Sequence, residues 1–415
     1  MNILLRSLAA IGCMAGLVLA QQPAIPLHTQ SRWIMDRDGQ RVKFRCINWA
    51  GHLETNIPEG LHKQSIDYIA DWIRNEGFNC VRLTYSIDMA LNPGLKIRDS
   101  FVIAAGSAGV SVDGMNGLFS QVVARNPYLA DANIRDVFGI VVDKLWDRGV
   151  MTVLDNHVSK AAWCCNLSDG NGWWGDAPGY DDGNSRFFDS AKWLAGLQTQ
   201  AIWARDHRGI VAMSLRNELR AAGAQFATAP DQWKWHMSAA AKTVHEANPD
   251  VLIVLGGTNG GADFSFMRDS ALDTSAWAGK NVWEAHDYSF TVTTPDLGFC
   301  FLNKQTYGFF WGFLLEQNKA QTGPLFLSEF GVGMQGGPRD GLTNEDYNYL
   351  RCLIDYIQGN DADWALWAIQ GGYYVRDRII DAEETWGAMD RDWNGWRNPK
   401  FKGMLGNIFK VQQRP

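Results

Sequence analysis

Eight short apolar runs, each followed by enough chain for a helix, recur along this sequence, and no other feature constrains its fold as strongly. The runs lie at 41–48, 79–84, 150–155, 209–218, 251–255, 282–285, 324–331 and 364–368. Between them, Ile66, Ile69, Ala70 and Ile73 sit at helical spacing in a stretch that stops at Gly77. The spacing predicts helices over 64–76, 133–148, 191–206, 231–247, 307–321 and 345–358, with a last one near 400–409. Strands that alternate with helices argue for a parallel sheet with crossover connections. Eight such units predict an α/β fold, a (β/α)8 barrel whose functional residues stand at the carboxyl ends of the strands. A doubly wound open sheet is the competing architecture. It calls for G-x-G-x-x-G after its first strand, and none appears in that context.

The ends of the chain and two long insertions complete this reading. Arg6, an apolar run over 8–19 and the small residues before Gln21 have the form of a secretory signal. The expected organisation is a signal peptide at 1–20 and one catalytic domain at 21–415, secreted and monomeric. A turn at Asp38-Gly39 predicts a hairpin between 32–36 and 41–48. The stretches 92–131 and 164–183 are long for barrel loops, and long loops often wall a binding site.

Composition narrows the partners. The formal net charge is −7 and no long basic run is present, which argues against nucleic acid. The signal run is too short to span a bilayer and no later stretch does, so no membrane association is expected. The chain holds 19 Trp, and indole rings stack on the C–H faces of sugars, which points to carbohydrate. Trp173 and Trp174, in the second insertion, are candidates for such stacking. Six cysteines follow the signal: Cys46, Cys80, Cys164, Cys165, Cys300 and Cys352. In an exported protein they suggest up to three disulfides, with about 15 possible pairings. Vicinal Cys164-Cys165 lacks the C-x-x-C spacing of a zinc site, and Asn166-Leu167-Ser168 is a glycosylation sequon.

Polar residues stand where the apolar runs end: Asn48, Arg82, His157, Asn217 with Glu218, His286 with Tyr288, Glu329, and then Trp367. Burying such groups is costly unless a site uses or pairs them. Two strand-end glutamates suit glycosidic cleavage, which needs an acid for the leaving oxygen and a carboxylate at the anomeric carbon. Glu218 and Glu329 can supply both. Arg82 and Tyr288 are suited to holding a nucleophile ionised. Asn217 can bond a sugar 2-hydroxyl, His157 and His286 can orient carboxylates or bind hydroxyls, and Trp367 offers a floor for the ring. No H-E-x-x-H or similar spacing is present, so neither a metal nor a cofactor is expected.

These motifs, with Val-Arg-Leu around Arg82, Leu-Asp-Asn-His at His157, His286-x-Tyr288 and Ser328-Glu329-Phe330-Gly331, resemble the series of family 5 glycoside hydrolases. That is the cellulase-like family of retaining (β/α)8-barrel enzymes, and the likeness runs from about Phe44 to Trp367. It implies Glu218 as acid/base, Glu329 as nucleophile, and the other residues around the cleaved sugar. It also implies carboxyl groups about 5–5.5 Å apart, where about 7–9 Å would mean inversion. Leu219-Arg220 follows Glu218 where many cellulases of the family carry Pro. The expected function is a secreted retaining β-glycosidase on a β-1,4-glucan-like substrate. An exo-acting β-glucosidase or diglycosidase on small glycosides is the alternative, and a non-catalytic carbohydrate-binding protein is the rival of another class.

Overall fold

Eight parallel strands close on themselves. They are β1 (Arg45–Trp49), β2 (Cys80–Ser86), β3 (Met151–Val158), β4 (Ile210–Ser214), β5 (Leu252–Gly256), β6 (Asn281–His286), β7 (Leu325–Phe330) and β8 (Asp363–Leu366). Each pairs in parallel with its sequence neighbours, and β8 returns to β1 through Trp364 opposite Arg45. The computed structural model describes residues 22–291 and 299–415; the expected signal at 1–20 lies outside them. No described helix is long and apolar enough to cross a membrane. The (β/α)8 expectation is met.

Side-chain alternation fills the barrel in layers. Cys46, Cys80, Val153, Ala212, Val254, Val282 and Phe326 form an apolar plug inside it. Two residues further along the strands the inward positions turn polar, giving Asn48, Arg82, Asp155, Ser214, Glu284 and Ser328, all buried. The intervening residues, such as Ile47, Val81, Leu83 and Leu327, join the larger core between strands and helices. The apolar plug closes the bottom of the barrel, and the polar layer becomes the floor of a site at its top.

Strict alternation would turn Glu329 outward, on the parity of Leu327. The strand breaks register instead. Ala285 pairs with Leu327 but His286 pairs with Glu329, and on the other side Trp364 pairs with Leu327 but Leu366 with Phe330. One extra residue at 328–329 is a bulge, which re-aims a side chain. It lets Ser328 and Glu329 both face the interior while Phe330 returns to the outer core.

Several expected elements differ. The hairpin pairs His28–Gln30 with Trp33–Met35; Arg41 makes only a bridge to Met35, and 45–49 is already barrel. The helix expected over 307–321 is Cys300–Phe310 followed by a 3-10 turn at Gly312–Leu315, since the run after Phe310 holds Gly312. The last helix is only Phe401–Leu405. The 92–131 stretch holds two helices, Ile97–Ala108 and Val112–Arg125, that pack against each other. They do not wall the site; Phe101 and the Gly114 backbone pack on Tyr374 and Ile380 of a hairpin after β8, Gly372–Arg376 with Ile379–Glu383.

Three disulfides use all six cysteines: Cys46–Cys80, Cys164–Cys165 and Cys300–Cys352. The last closes 52 residues and ties helix Cys300–Phe310 to helix Asn344–Asn360. Loop-closure entropy for that span corresponds to about 4 kcal/mol. Replacing Cys300 and Cys352 together by Ser is expected to lower Tm by several degrees and leave turnover at 25 °C unchanged, as calorimetry and steady-state assays would show.

Candidate active site

Arg82 stands at the centre of the polar layer with no exposed surface. Its Nη1 donates to Asn48 Oδ1 (3.0 Å) and Glu329 Oε1 (2.7 Å); its Nη2 donates to Asn217 Oδ1 (2.9 Å) and Glu284 Oε1 (2.5 Å). Asp155 Oδ1 lies 2.9 Å from Nη2. Tyr288 Oη donates to the other oxygen of Glu329 at 2.9 Å. His286 reaches Glu218 Oε1 at 3.1 Å through Nδ1 and Glu284 Oε1 at 3.4 Å through Nε2. One carboxylate oxygen from each of Glu218 and Glu329 lies within 4.8 Å of the other.

Above these groups opens a cavity of about 380 Å³, at the small end of the roughly 300–1,000 Å³ usual for ligand pockets. Six of the expected residues face it: His157, Asn217, Glu218, Tyr288, Glu329 and Trp367. Glu329 is held by donors on both oxygens with a 5% exposed side chain, and Glu218 is more open at 19%. Glu218 also adopts a left-handed backbone (φ 39°), and Arg220 Nη1 braces its carbonyl at 2.6 Å. Backbone of this kind is costly for a residue with a side chain and persists where surroundings hold it.

The description "Cellulase (glycosyl hydrolase family 5)" matches residues 35–372. The chain belongs to glycosyl hydrolase family 5. A glycosyl hydrolase 5 family protein of Chamaecyparis obtusa is 38% identical over 96% of this chain and 68% of its own. An endoglucanase of Paenibacillus polymyxa is 23% identical over 92% of this chain and 87% of its own. Among solved structures, the endocellulase of Pyrococcus horikoshii superposes with a TM-score of 0.70 at 17% identity, over 94% of this chain and 100% of that one. This chain is accordingly a glycosidase that hydrolyses glycosidic bonds.

For this family 5 chain, two sets of expected site residues need correction. Asn48, Arg82 and His286 do not line the cavity; they lie beneath the glutamates, because their strands point them into the barrel rather than over its rim. Trp173 and Trp174 are fully buried. Trp174 stacks on His236 at 4.3 Å and packs with Phe188 and Trp193, so the pair anchors the insertion instead of meeting a sugar. The 164–183 insertion does reach the site, but through Cys164 and Cys165 at its start, next to Trp163. Missed altogether were Asp155 and Glu284, plain strand carboxylates in the sequence, and Phe290, Arg376, Glu384 and Trp386 on the rim.

Charge is distributed unevenly across the site. Burial works against a cationic His286, but Glu329, Glu218 and Glu284 raise it to about 10. Burial, Arg82 and the His286 cation hold His157 well below its usual range, so His157 is neutral, and its Nδ1 shares a hydrogen bond with Asp155 Oδ2 at 2.6 Å. Burial favours a neutral Glu284, yet Arg82, His286 and Ser214 bring it down to about 2. Burial pushes Glu329 up to about 7, against the pull of His286 and Arg82. The expectation that Arg82 and Tyr288 would leave Glu329 low is therefore corrected: desolvation outweighs them.

A raised Glu329 protonates as pH falls, so the carboxylate form disappears on the acidic side. The acidic limb of kcat/KM is expected above the ordinary carboxylate range of about 4–5. Tyr288→Phe removes a donor that favours the carboxylate, which moves that limb further up and lowers kcat by about 10²-fold. A pH–rate profile of both proteins checks the sign.

Proposed function

We propose that this protein is a secreted, retaining β-glycosidase acting by double displacement on a gluco-configured, β-1,4-glucan-like substrate. The observation that carries the mechanism is that one carboxylate oxygen of Glu218 lies within 4.8 Å of one of Glu329, with both side chains on one cavity. Inverting enzymes need about 6.5–9.5 Å to admit a water between their carboxyl groups. Glu329, with Arg82 and Tyr288 fixing its oxygens, attacks the anomeric carbon. As that bond forms, the bond to the leaving oxygen breaks, and Glu218 gives the oxygen its proton. Glu218 then takes a proton from water, the water oxygen attacks the same carbon, and Glu329 leaves as the carboxylate. Its greater exposure suits Glu218 to this exchange with solvent. The His286 cation, 3.6 Å from Glu329 Oε2, offsets negative charge through both steps.

Support for the substrate comes from relatives: the Paenibacillus polymyxa protein is named an endoglucanase, and one Pyrococcus horikoshii structure is a complex with cellotetraose. Support for export comes from the signal-like N-terminus and from three disulfides, which persist in oxidising compartments. Recovery of the protein from culture medium with Gln21 at its N-terminus checks that point.

The modest cavity, rimmed by Trp163, Trp386 and Phe290, favours a second reading in which the enzyme releases mono- or disaccharide from small glycosides. Incubation with mixed-linkage glucan, carboxymethylcellulose and aryl β-glucosides separates the two. Oligosaccharides from the polymers support endo action, and small products from aryl glycosides alone support the second reading. Glu329→Ala is expected to abolish turnover on every substrate without unfolding. Glu218→Ala is expected to lose about 10²–10⁴-fold on poor leaving groups. Its first step should be spared with a dinitrophenyl glycoside, whose leaving group needs no proton. Near-normal turnover by purified Glu329→Ala would sink the assignment.

A further inference from the structure

The Cys164–Cys165 disulfide has no evident structural task. A crosslink stabilises chiefly by closing a loop in the unfolded chain, and the effect grows with the residues enclosed. Cys46–Cys80 encloses 34 residues and Cys300–Cys352 encloses 52, but Cys164–Cys165 joins neighbours and encloses none. The surrounding loop is already tied down without it. Asn171 Oδ1 accepts from the Ser159 and Lys160 amides, and Asp169 grips Arg220 Nη2 with both oxygens at 3.1 and 2.9 Å.

What distinguishes this disulfide is its position. Both cysteines line the cavity that holds Glu218 and Glu329. Asn217 Nδ2 faces both sulfurs, at 3.7 Å from Cys164 and 3.5 Å from Cys165. Its amide cannot turn away, because Arg82 fixes Oδ1. Arg220 Nη1 lies 3.8 Å from Cys164 Sγ while donating to the Glu218 carbonyl. The sulfurs thus cover Asn217, which precedes the acid/base, and Arg220, which holds its carbonyl.

A disulfide carries no hydrogen-bond donor and only weak acceptors. It presents polarizable, nearly apolar surface of the kind that suits the C–H face of a pyranose, and it leaves the Asn217 N–H free to be captured by a stronger acceptor. We propose that the Cys164–Cys165 disulfide is a substrate-contacting wall of the sugar pocket, which packs against the glycosyl ring and holds the Asn217 amide ready for a ring hydroxyl. The inference rests on the proposed carbohydrate substrate and adds to it a binding surface made of sulfur. When sugar enters, a hydroxyl replaces the weak N–H···S contacts, so the protein gives up little to bind.

The test is the full-length protein with Cys164→Ser and Cys165→Ser together, beside the wild type. Two readouts are taken: kcat and KM on 4-nitrophenyl β-cellobioside, and Kd for cellobiose from tryptophan fluorescence. Two hydroxyls replace the sulfur surface with strongly hydrated groups that compete for the Asn217 amide. The expected result is a rise of about tenfold in both KM and Kd, with kcat within about threefold and Tm within about 2 °C. A wall that only braced the loop would move Tm and leave the affinity ratio alone. Unchanged KM and Kd overturn the inference while the glycosidase reading stands. Absence of wild-type turnover on every β-glycoside, with cellobiose still bound and bound more weakly by the variant, overturns the catalytic reading and keeps the wall. A wild type that binds no cellobiose and turns over no β-glycoside overturns both.

Discussion

A single buried guanidinium governs this structure. Arg82 has no contact with solvent, so its charge must be matched where it stands, and Glu329, Glu284 and Asp155 do so at 2.7, 2.5 and 2.9 Å. Removing one partner from such a cluster leaves an uncompensated buried charge, which is far more costly than the pair was ever stabilising. The consequence runs outward. β1 must supply Asn48, β6 must supply Glu284, and β7 must bulge to deliver Glu329. Ser214 then donates to the other oxygen of Glu284, and Ser328 adds a second donor to the oxygen that Arg82 holds. The cluster draws polar groups from six strands at once, β1, β2, β3, β4, β6 and β7, and closure of the barrel is what brings those strand ends to one point.

That demand also explains the protonation pattern. More carboxylates than cations share the layer, so not all of them can be comfortable as anions. Glu284 takes the most donors and sits low, Asp155 is pushed up to about 7 by burial, and Glu329 is raised likewise. Environments that drive titratable groups apart are the mark of sites that move protons. Here the separation comes from counting donors around each carboxylate, with burial supplying the common penalty.

How much of this was legible in the sequence follows from the range of each interaction. The βα alternation is local, so the barrel could be read, and so could Glu218 and Glu329 as polar breaks in apolar runs. The bulge at 328–329 could not be read, because Ser-Glu after Pro-Leu-Phe-Leu looks like a strand running into a loop; the extra residue is defined only by what β6 and β8 pair with. Glu284 was hidden for the opposite reason. It lies inside an apolar run and reads as an ordinary strand residue, although a carboxylate there needs several partners. Trp173 and Trp174 misled because a Trp-rich insertion beside a sugar site invites a stacking role. The insertion instead needed its own core, and adjacent indoles with Phe188 and Trp193 supplied it. The cysteine pairing was closed to sequence because nothing local distinguishes among partners.

The rim differs from the floor in a way that bears on specificity. Floor residues come from strands and are fixed by the Arg82 cluster, but the rim is assembled from loops that must hold one another. Arg376, on the hairpin after β8, lies 3.5 Å over the Trp163 ring and pairs with Glu384 at 2.8 Å. Tyr373 Oη donates to the same carboxylate at 2.5 Å, and its ring meets Trp163 edge-on. This crosses from the loop that carries Cys164 and Cys165 to the hairpin braced by the helices of 97–125. The two insertions therefore act as one unit: one makes the wall, and the other supports the hairpin that the wall leans on. Arg220, two residues after Glu218, joins the same unit through Asp169. A change of substrate preference can arise in this braced rim while the ion cluster beneath keeps its own partners; the two meet at Asn217, at Glu218 and at Tyr288, which donates to Glu329 and packs on Trp386.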